Sequence, residues 1–525
     1  MKKFITVISM FLLISNVAIC KDRNLVDENY RRNTLGVFFD TQLTLSVTEN
    51  GVSEEVASFL KEFEISDKFD NLPSAKDNRG AGFINLSGVN VDKNDILLID
   101  PRYFDEKKSG SFLSLLGAET QSPEQQKIAA QHEFLRKHLA VVSATTEDEY
   151  NKNTTLKAAK MLKWLKNCNV ANKLIASWFG GDNGNAYNVD LIKERGHYNA
   201  SELDKLEALD SKRGLAIVED AGEELIGHTF ITFTDFEIID GRRYEERSKQ
   251  LLANSYGTSS KFGKMLQESA DRSANETAGF YITSTTYLFK LNWNDDTANQ
   301  FYSEYWEQPV SALLNSDLCS IEYIGFERNT TKTTQDINGK GLFNQLKNHM
   351  KREFSSGRIF ESAFAKNENE KKVIEARQDR ERYAENEKIR MDMTTAMTKQ
   401  SLIRSVDQTF ADLMKNHEEF RVKAPILEVE DGYISAFIGL KEGLKDNSEF
   451  EILEPRLNDK TNKIEYHKVG KAKVDKKRLW DNRYTIIDDE ANIRGKGDNA
   501  YELDRTYLKC SSKNVVPGML LYQIK

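Results

Sequence analysis

The sequence predicts an α+β, multidomain fold, and three observations predict it. Helix-patterned and strand-patterned segments alternate over residues 21–330. A charge block at 366–390 runs straight into an amphipathic stretch. The last hundred or so residues carry strand patterns punctuated by glycine. The expected order is an α/β N-terminal half, a long charged helix and a small all-β barrel at the C-terminus. A chain of 525 residues has room for about three or four domains.

The elements follow in order. Lys2 and Lys3 precede an almost uncharged run, Phe4 to Ile19, that closes on Ala18-Ile19-Cys20. A basic start, a short apolar run and small residues near a cut point have the form of a secretory leader, expected at 1–20. The run falls short of the roughly 20 apolar residues of a membrane span. Cys20 leaves two outcomes open, ordinary cleavage nearby or lipid attachment; the bulky Ile19 disfavours the second. With the leader removed, 72 basic residues face 82 acidic ones, a balance of −10. That excess argues against a nucleic-acid partner, which needs a basic footprint.

An α/β domain is expected over 21–240. Leu35 to Phe39, continuing to Val47, alternates as a strand. Ser53 to Glu64 reads as a helix with Ser53 as cap and Val56, Phe59, Leu60 and Phe63 on one face. Leu97 to Pro101 reads as a buried strand. Ser122 to Trp178 is helical in at least two pieces, the first opened by Pro123, and Gly180 to Gly184 breaks the chain. A helix around Glu219 to Ile226 then leads into a strand, Thr229 to Phe233. Residues 241–276, rich in Ser, Gly and charge, are expected to form a mobile insertion. A β-rich continuation at 277–365 holds strands at Gly279 to Trp293 and Ile321 to Phe326, with a helix-like aromatic stretch, Phe301, Tyr302, Tyr305 and Trp306, between them.

The long helix is expected over 366–419. Fifteen of the 25 residues at 366–390 are charged, with pairs such as Glu368/Lys372 and Arg377/Glu381 four apart, which favours a solvated helix. Leu402, Ile403, Val406, Phe410, Leu413 and Met414 then recur at helical spacing and require a core to dock against. Residues 420–525 offer candidate strands at Ile426–Val429, Tyr433–Ile438, Glu449–Leu453, Lys468–Val474 and Leu520–Ile524, enough for a small closed barrel.

Chemical constellations are sparse. His132-Glu133 and His138 resemble a metalloprotease helix, but histidines six apart occupy different faces. Asp295-Asp296 lacks the spaced ligands of a calcium loop and reads as a strand-to-helix turn with an Asp cap. Gly257 to Gly263-Lys264 has one residue too many between its glycines for a P-loop, and Met265 replaces the hydroxyl ligand. There is no Gly-x-Ser-x-Gly elbow. Cys168, Cys319 and Cys510 are widely spaced and read as small core residues. No catalytic residue, metal site or cofactor is indicated. Glu304 and Glu307 flank Tyr305 and Trp306, and with Trp293 these aromatics form a candidate binding surface for a saccharide or peptide.

Three resemblances can be stated on residues. Ala436 to Leu444, Glu449 to Leu453 and His467 to Val474 resemble the C-terminal β-barrel of flagellar assembly protein T, which implies a non-catalytic assembly module. Arg195-Gly196 and Ala216 to Ile231 resemble the α/β domain of curli-secretion-channel lipoproteins. Ile192 to Ala200 and Thr286 to Trp293 resemble large uncharacterised secreted proteins of the Bacteroidetes type. Together these imply an exported, periplasmic or outer-membrane-associated protein that scaffolds or assists assembly. Its partners would be other envelope proteins and further copies of itself, with peripheral membrane association if Cys20 is lipidated. A glycan-active hydrolase or a carbohydrate-binding protein is the alternative.

Overall fold

The computed structural model describes residues 33–40, 53–65, 69–72, 80–104, 147–181, 186–199, 216–246, 250, 264, 277–332, 335–336, 342–357, 365–421, 423–458, 460, 463–482, 492–495 and 501–524. The expected leader, the expected strand continuation to Val47 and the expected helix opened by Pro123, with His132 and His138, lie outside them. So do most of the expected insertion and Gly257 to Gly263; residues 241–246 are helical.

Among the described residues the chain is α+β. Its first sheet is mixed. β1 (Thr34–Asp40) is flanked along one edge by β2 (Asp70–Asn71) and β3 (Gly82–Ile84), and on the other by β4 (Thr229–Asp240), all in parallel. The sheet continues antiparallel through β6 (Phe280–Asn292) and β7 (Ser320–Lys332). A two-residue pairing of β5 (Thr277–Ala278) with β8 (Gln335–Asp336) extends the hairpin.

Helices cover both faces of this sheet because its strands are apolar on both sides. One face carries α1 (Ser53–Glu62), through Phe59 and Leu60. The other carries α3 (Glu147–Asn167), α4 (Val170–Trp178) and α6 (Ala216–Gly227), while α2 (Lys93–Ile99) and α5 (Asp190–Asn199) lie at the periphery. Trp178 and Phe179 at the end of α4 are fully buried in the same core as Phe233 and Phe289, and the Trp178 indole donates to the Thr229 hydroxyl at 3.2 Å.

Of the segment expected to be a strand at Leu97 to Pro101, Leu97 to Ile99 form the last turn of α2, Asp100 is its C-cap and Pro101 lies in the turn that follows. Asp92 caps the start of α2, accepting from the backbone N–H groups of Asn94 and Asp95, while the Asp95 carboxylate reaches back to the Asp92 N–H at 2.9 Å. That reciprocal capping box decides the local conformation. Leu98, expected to be buried, is 71% exposed.

After β6 come α7 (Asp295–Gln300), a π-helical turn at Phe301–Tyr305 and α8 (Val310–Leu314). The cap of α7 is Asn294, whose side chain accepts from the Thr297 N–H, so Asp295 and Asp296 occupy the first turn and do not cap it. α9 (Leu342–Ser355) leads to α10 (Glu368–Asn416), a single helix of 49 residues, about 73 Å long at 1.5 Å per residue.

The two halves of α10 differ in what they touch. Leu402, Val406, Phe410, Leu413 and Met414 are buried in the second core, against Phe69, Phe230, Phe280 and Leu288. Small hydroxyl side chains let the helix approach the sheet closely: the Ser405 hydroxyl bonds that of Ser284 at 2.7 Å, and Thr409 meets Ser284 at 2.6 Å. Its N-terminal half is largely exposed, with Val373 70% and Tyr383 52% accessible. Between the halves, Arg390 (4% exposed) reaches Asp240 (6% exposed) at 3.0 Å and Glu387 at 2.6 Å, while Arg242 meets Glu387 at 3.3 Å.

The C-terminal region is a curled antiparallel sheet in the order β10-β11-β16-β13-β12-β17-β9. Its strands are β9 (Lys423–Pro425), β10 (Glu428–Glu430), β11 (Tyr433–Ala436), β12 (Glu449–Asn458), β13 (Lys463–Val474), β16 (Thr506–Cys510) and β17 (Leu520–Gln523). A separate ribbon pairs β14 (Ile493–Arg494) with β15 (Tyr501–Glu502). The sheet is a half-barrel where a closed barrel was expected. Its two terminal strands, β9 and β10, follow each other in the chain, so one bent segment pairs with β17 at one end and β11 at the other. β9 and β16 have no counterpart among the sequence-predicted strands.

Gly443, at φ +78, sits against α10 with Ala411 only 3.2 Å from where a Cβ would lie. Lys423 pairs with Glu224 of α6 at 3.3 Å, Tyr522 bonds Glu418 at 2.9 Å, and the Asn33 amide donates to the Phe420 carbonyl at 3.0 Å. Phe420 itself is fully buried against Phe69 and Phe230.

Candidate functional site

Two groupings of side chains carry chemistry. The first is the aromatic corner built by the π-helical turn. A π-turn adds one residue to the helical repeat, and here the Trp306 N–H bonds the Phe301 carbonyl at 3.1 Å. Phe301 is fully buried and stacks on Phe179 at 4.8 Å; Trp306 stacks on Tyr187 at 5.9 Å and meets Tyr302 at 5.5 Å; Trp293 lies 5.8 Å from Phe301. The Tyr302 hydroxyl donates to Glu223 at 2.6 Å.

Of the three aromatics singled out from sequence, Trp293 and Trp306 are joined through Phe179 and Phe301. Tyr305 packs on the same core without a ring contact to either tryptophan among the described residues. All three are half-buried. The Tyr187 hydroxyl is buried without a hydrogen-bond partner among the described residues. Burial, and secondarily the nearby Cys319, push its pKa up to about 12, and burial does the same for the Cys319 thiol. Cys168 and Cys319 are half-buried free thiols and Cys510 is a buried one.

The second grouping was not legible in the sequence. On the face of the first sheet covered by α3, two cross-strand rows turn polar beyond the aromatic layer of Phe233, Tyr287 and Phe326. One row is Asp235, Thr285 and Arg328; the next is Glu237, Thr283 and Thr330. Asp235 is ion-paired with Lys157 of α3. Arg328 donates from Nε to the Thr285 hydroxyl at 3.1 Å and from Nη2 to Thr154 at 2.9 Å, and its guanidinium lies over the Phe326 ring at 5.3 Å. Thr283 and Thr330 bond each other at 3.1 Å.

Glu237 is half-buried in this row. Burial, reinforced by the Asp235 charge and opposed by Lys157 and Arg328, raises its pKa to about 7. The grouping therefore sets a carboxyl group that exchanges its proton near neutrality beside a second acid paired with a lysine. The alternation Asp235-Phe236-Glu237-Ile238 could have signalled two acids on one strand face. Their basic neighbours come from positions 78 and 93 residues away in the chain, which no local pattern reveals.

Among the described residues no group of three His, Cys, Asp or Glu side chains is placed to hold a metal ion, and no helix is long and apolar enough to cross a membrane. Comparison with known proteins finds no matching family model and no matching curated protein.

Proposed function

We propose that this is an exported, non-enzymatic protein of the cell envelope that works in assembly or scaffolding through protein–protein contacts. The carrying observation is the divided character of α10. One half is locked into the core, and the other extends as a charged limb with Val373 and Tyr383 exposed, while α9 beside it exposes Met350 and Phe354. The Arg352 guanidinium donates to Asn386 at 3.0 Å, which ties α9 to the limb. Contiguous exposed apolar patches mark surfaces that a partner covers, and these four side chains are the proposed members of one. The leader-like residues 1–20 support export, and further envelope proteins or copies of this chain are the expected partners.

A photo-crosslinking residue at position 383, in the native envelope, tests this. The expected result is a reproducible adduct with one envelope protein or with a second copy. No adduct, or the same adducts from the exposed position 173 on α4, would overturn it.

A second reading, a glycan-active hydrolase, draws on Asp235 and Glu237. A carboxyl group with a raised pKa on the same strand face as a second acid is the kind of carboxyl pair that glycoside hydrolysis uses. Release of reducing ends from a glycan, abolished in Glu237→Gln, would support it; no turnover by the unaltered protein removes it.

A further inference from the structure

The curled sheet carries a cationic face that stands out from an acidic chain. The net charge is −8 overall, yet from Lys468 to Arg478 six basic residues accompany a single acid, Asp475. β13 turns Lys471 and Lys473 outward while Ala472 and Val474 face the core. Lys509 of β16 lies directly opposite Lys473, and Tyr433 of β11 opposite Lys509. Lys513 follows Ser512, which lies against Gly470. The result is an array, with steps of about 7 Å along the strand and about 4.8 Å across strands.

Part of this charge is answered within the protein. Lys468 pairs with Glu451, Lys473 with Glu449 at 3.2 Å, Lys476 with Asp446 at 3.0 Å and Arg478 with Asp475 at 3.4 Å. Of these, the Lys476–Asp446 pair is exposed on both sides, and exposed pairs are weak. Lys471, Lys477, Lys509 and Lys513 are exposed and make no ion pair among the described residues. Glu449 and Glu451 border the face on the β12 side, and Glu430 borders it beyond Tyr433.

We propose that this face binds an extended acidic polysaccharide. A small anion is held by donors that converge on one point, whereas these cations stand side by side on a pleated surface and match charges repeated along a polymer. Single-stranded nucleic acid would need aromatic faces on which bases stack. The two tyrosines that rise within the patch instead clasp Arg478, whose guanidinium lies 3.9 Å from the Tyr433 ring and 4.3 Å from that of Tyr507. Such a contact would hold the C-terminal sheet to a surface polymer independently of the helical limb.

The test is binding of the full chain to alginate, with neutral dextran and a 20-nucleotide single-stranded DNA as comparisons, in low and moderate salt. Alginate should bind in 50 mM salt, weaken at least tenfold in 200 mM salt as the charges are screened, and weaken at least tenfold in Lys471→Glu/Lys509→Glu. The milder Lys471→Gln/Lys509→Gln pair should fall between. Absence of binding in low salt would overturn the proposal, as would an equal loss in the control Lys61→Glu/Lys173→Glu or tighter binding of the DNA than of alginate. Val373→Glu/Tyr383→Glu should leave alginate binding unchanged, so that failure of the limb reading and failure of this one remain separate.

Discussion

The two halves of α10 share one backbone conformation and similar helix-forming residues, yet they are held by different forces. Residues 402–414 are helical because an apolar stripe is buried against the sheet. Residues 368–390 rely on intrinsic propensity, the Asn367 cap and surface pairs such as Arg382/Asp379 at 2.8 Å. The contrast teaches that a long helix can act as structural core and as display surface at once, provided a latch fixes the point where burial ends. Arg390 with Asp240 is that latch.

The largest losses of stability are expected at the core and at the latch. Phe410→Ala should cost about 3–5 kcal/mol, through lost burial and the cavity left behind. Arg390→Ala should cost a similar amount, about 3–5 kcal/mol, because it strands the buried Asp240 carboxylate. Both are measurable by urea unfolding. If the latch fixes the limb, Arg390→Ala should also speed amide exchange in 368–390 more than Phe410→Ala does. Gly325→Ala should cost about 1–3 kcal/mol. A Cβ there would lie 2.4 Å from the His417 ring at the end of α10, so one of the two must shift.

Glu237→Gln should change how stability depends on pH. The folded-state pKa, near 7, lies above the ordinary 4.5, so ionising Glu237 opposes folding. That cost is absent below about pH 4.5, grows between 4.5 and 7 and is complete above 7. The glutamine variant should therefore match the unaltered protein at pH 4 and exceed it at pH 8, by on the order of 1–3 kcal/mol. Thermal melts at the two pH values check the sign. Val373→Ala, on the exposed limb, should change stability by less than about 0.5 kcal/mol.

Elements with long, clean periodicity were readable in advance. The stripe from Leu402 to Met414, the alternation at Phe280–Asn292 and the helix before Thr229 all appear where the pattern places them. Leu97 to Pro101 misled because a short apolar run fits a strand or a helix equally, and a pair of aspartates at 92 and 95 settled the matter. Of the half-barrel's extra strands, Lys423–Pro425 is too short to announce itself, and Thr506–Cys510 is defined by its pairing with β13 and β11.

For the candidate sites the division is similar. Sequence brought forward Trp293, Tyr305 and Trp306 because aromatic residues are conspicuous and close together in the chain. It passed over Asp235, Glu237, Lys157 and Arg328, since ordinary charged residues acquire meaning only when strands pair and α3 covers them.

Sequence alone determined the long, regularly patterned elements and the helical identity of the charged block, because backbone conformation responds to neighbours within a turn or two. Tertiary structure decided which half of the long helix is buried, how β9 and β10 end the curled sheet, and why Glu237 holds its proton near neutral pH. Those outcomes depend on desolvation and on charges supplied by residues far away in the chain, and neither exists until the layers have packed.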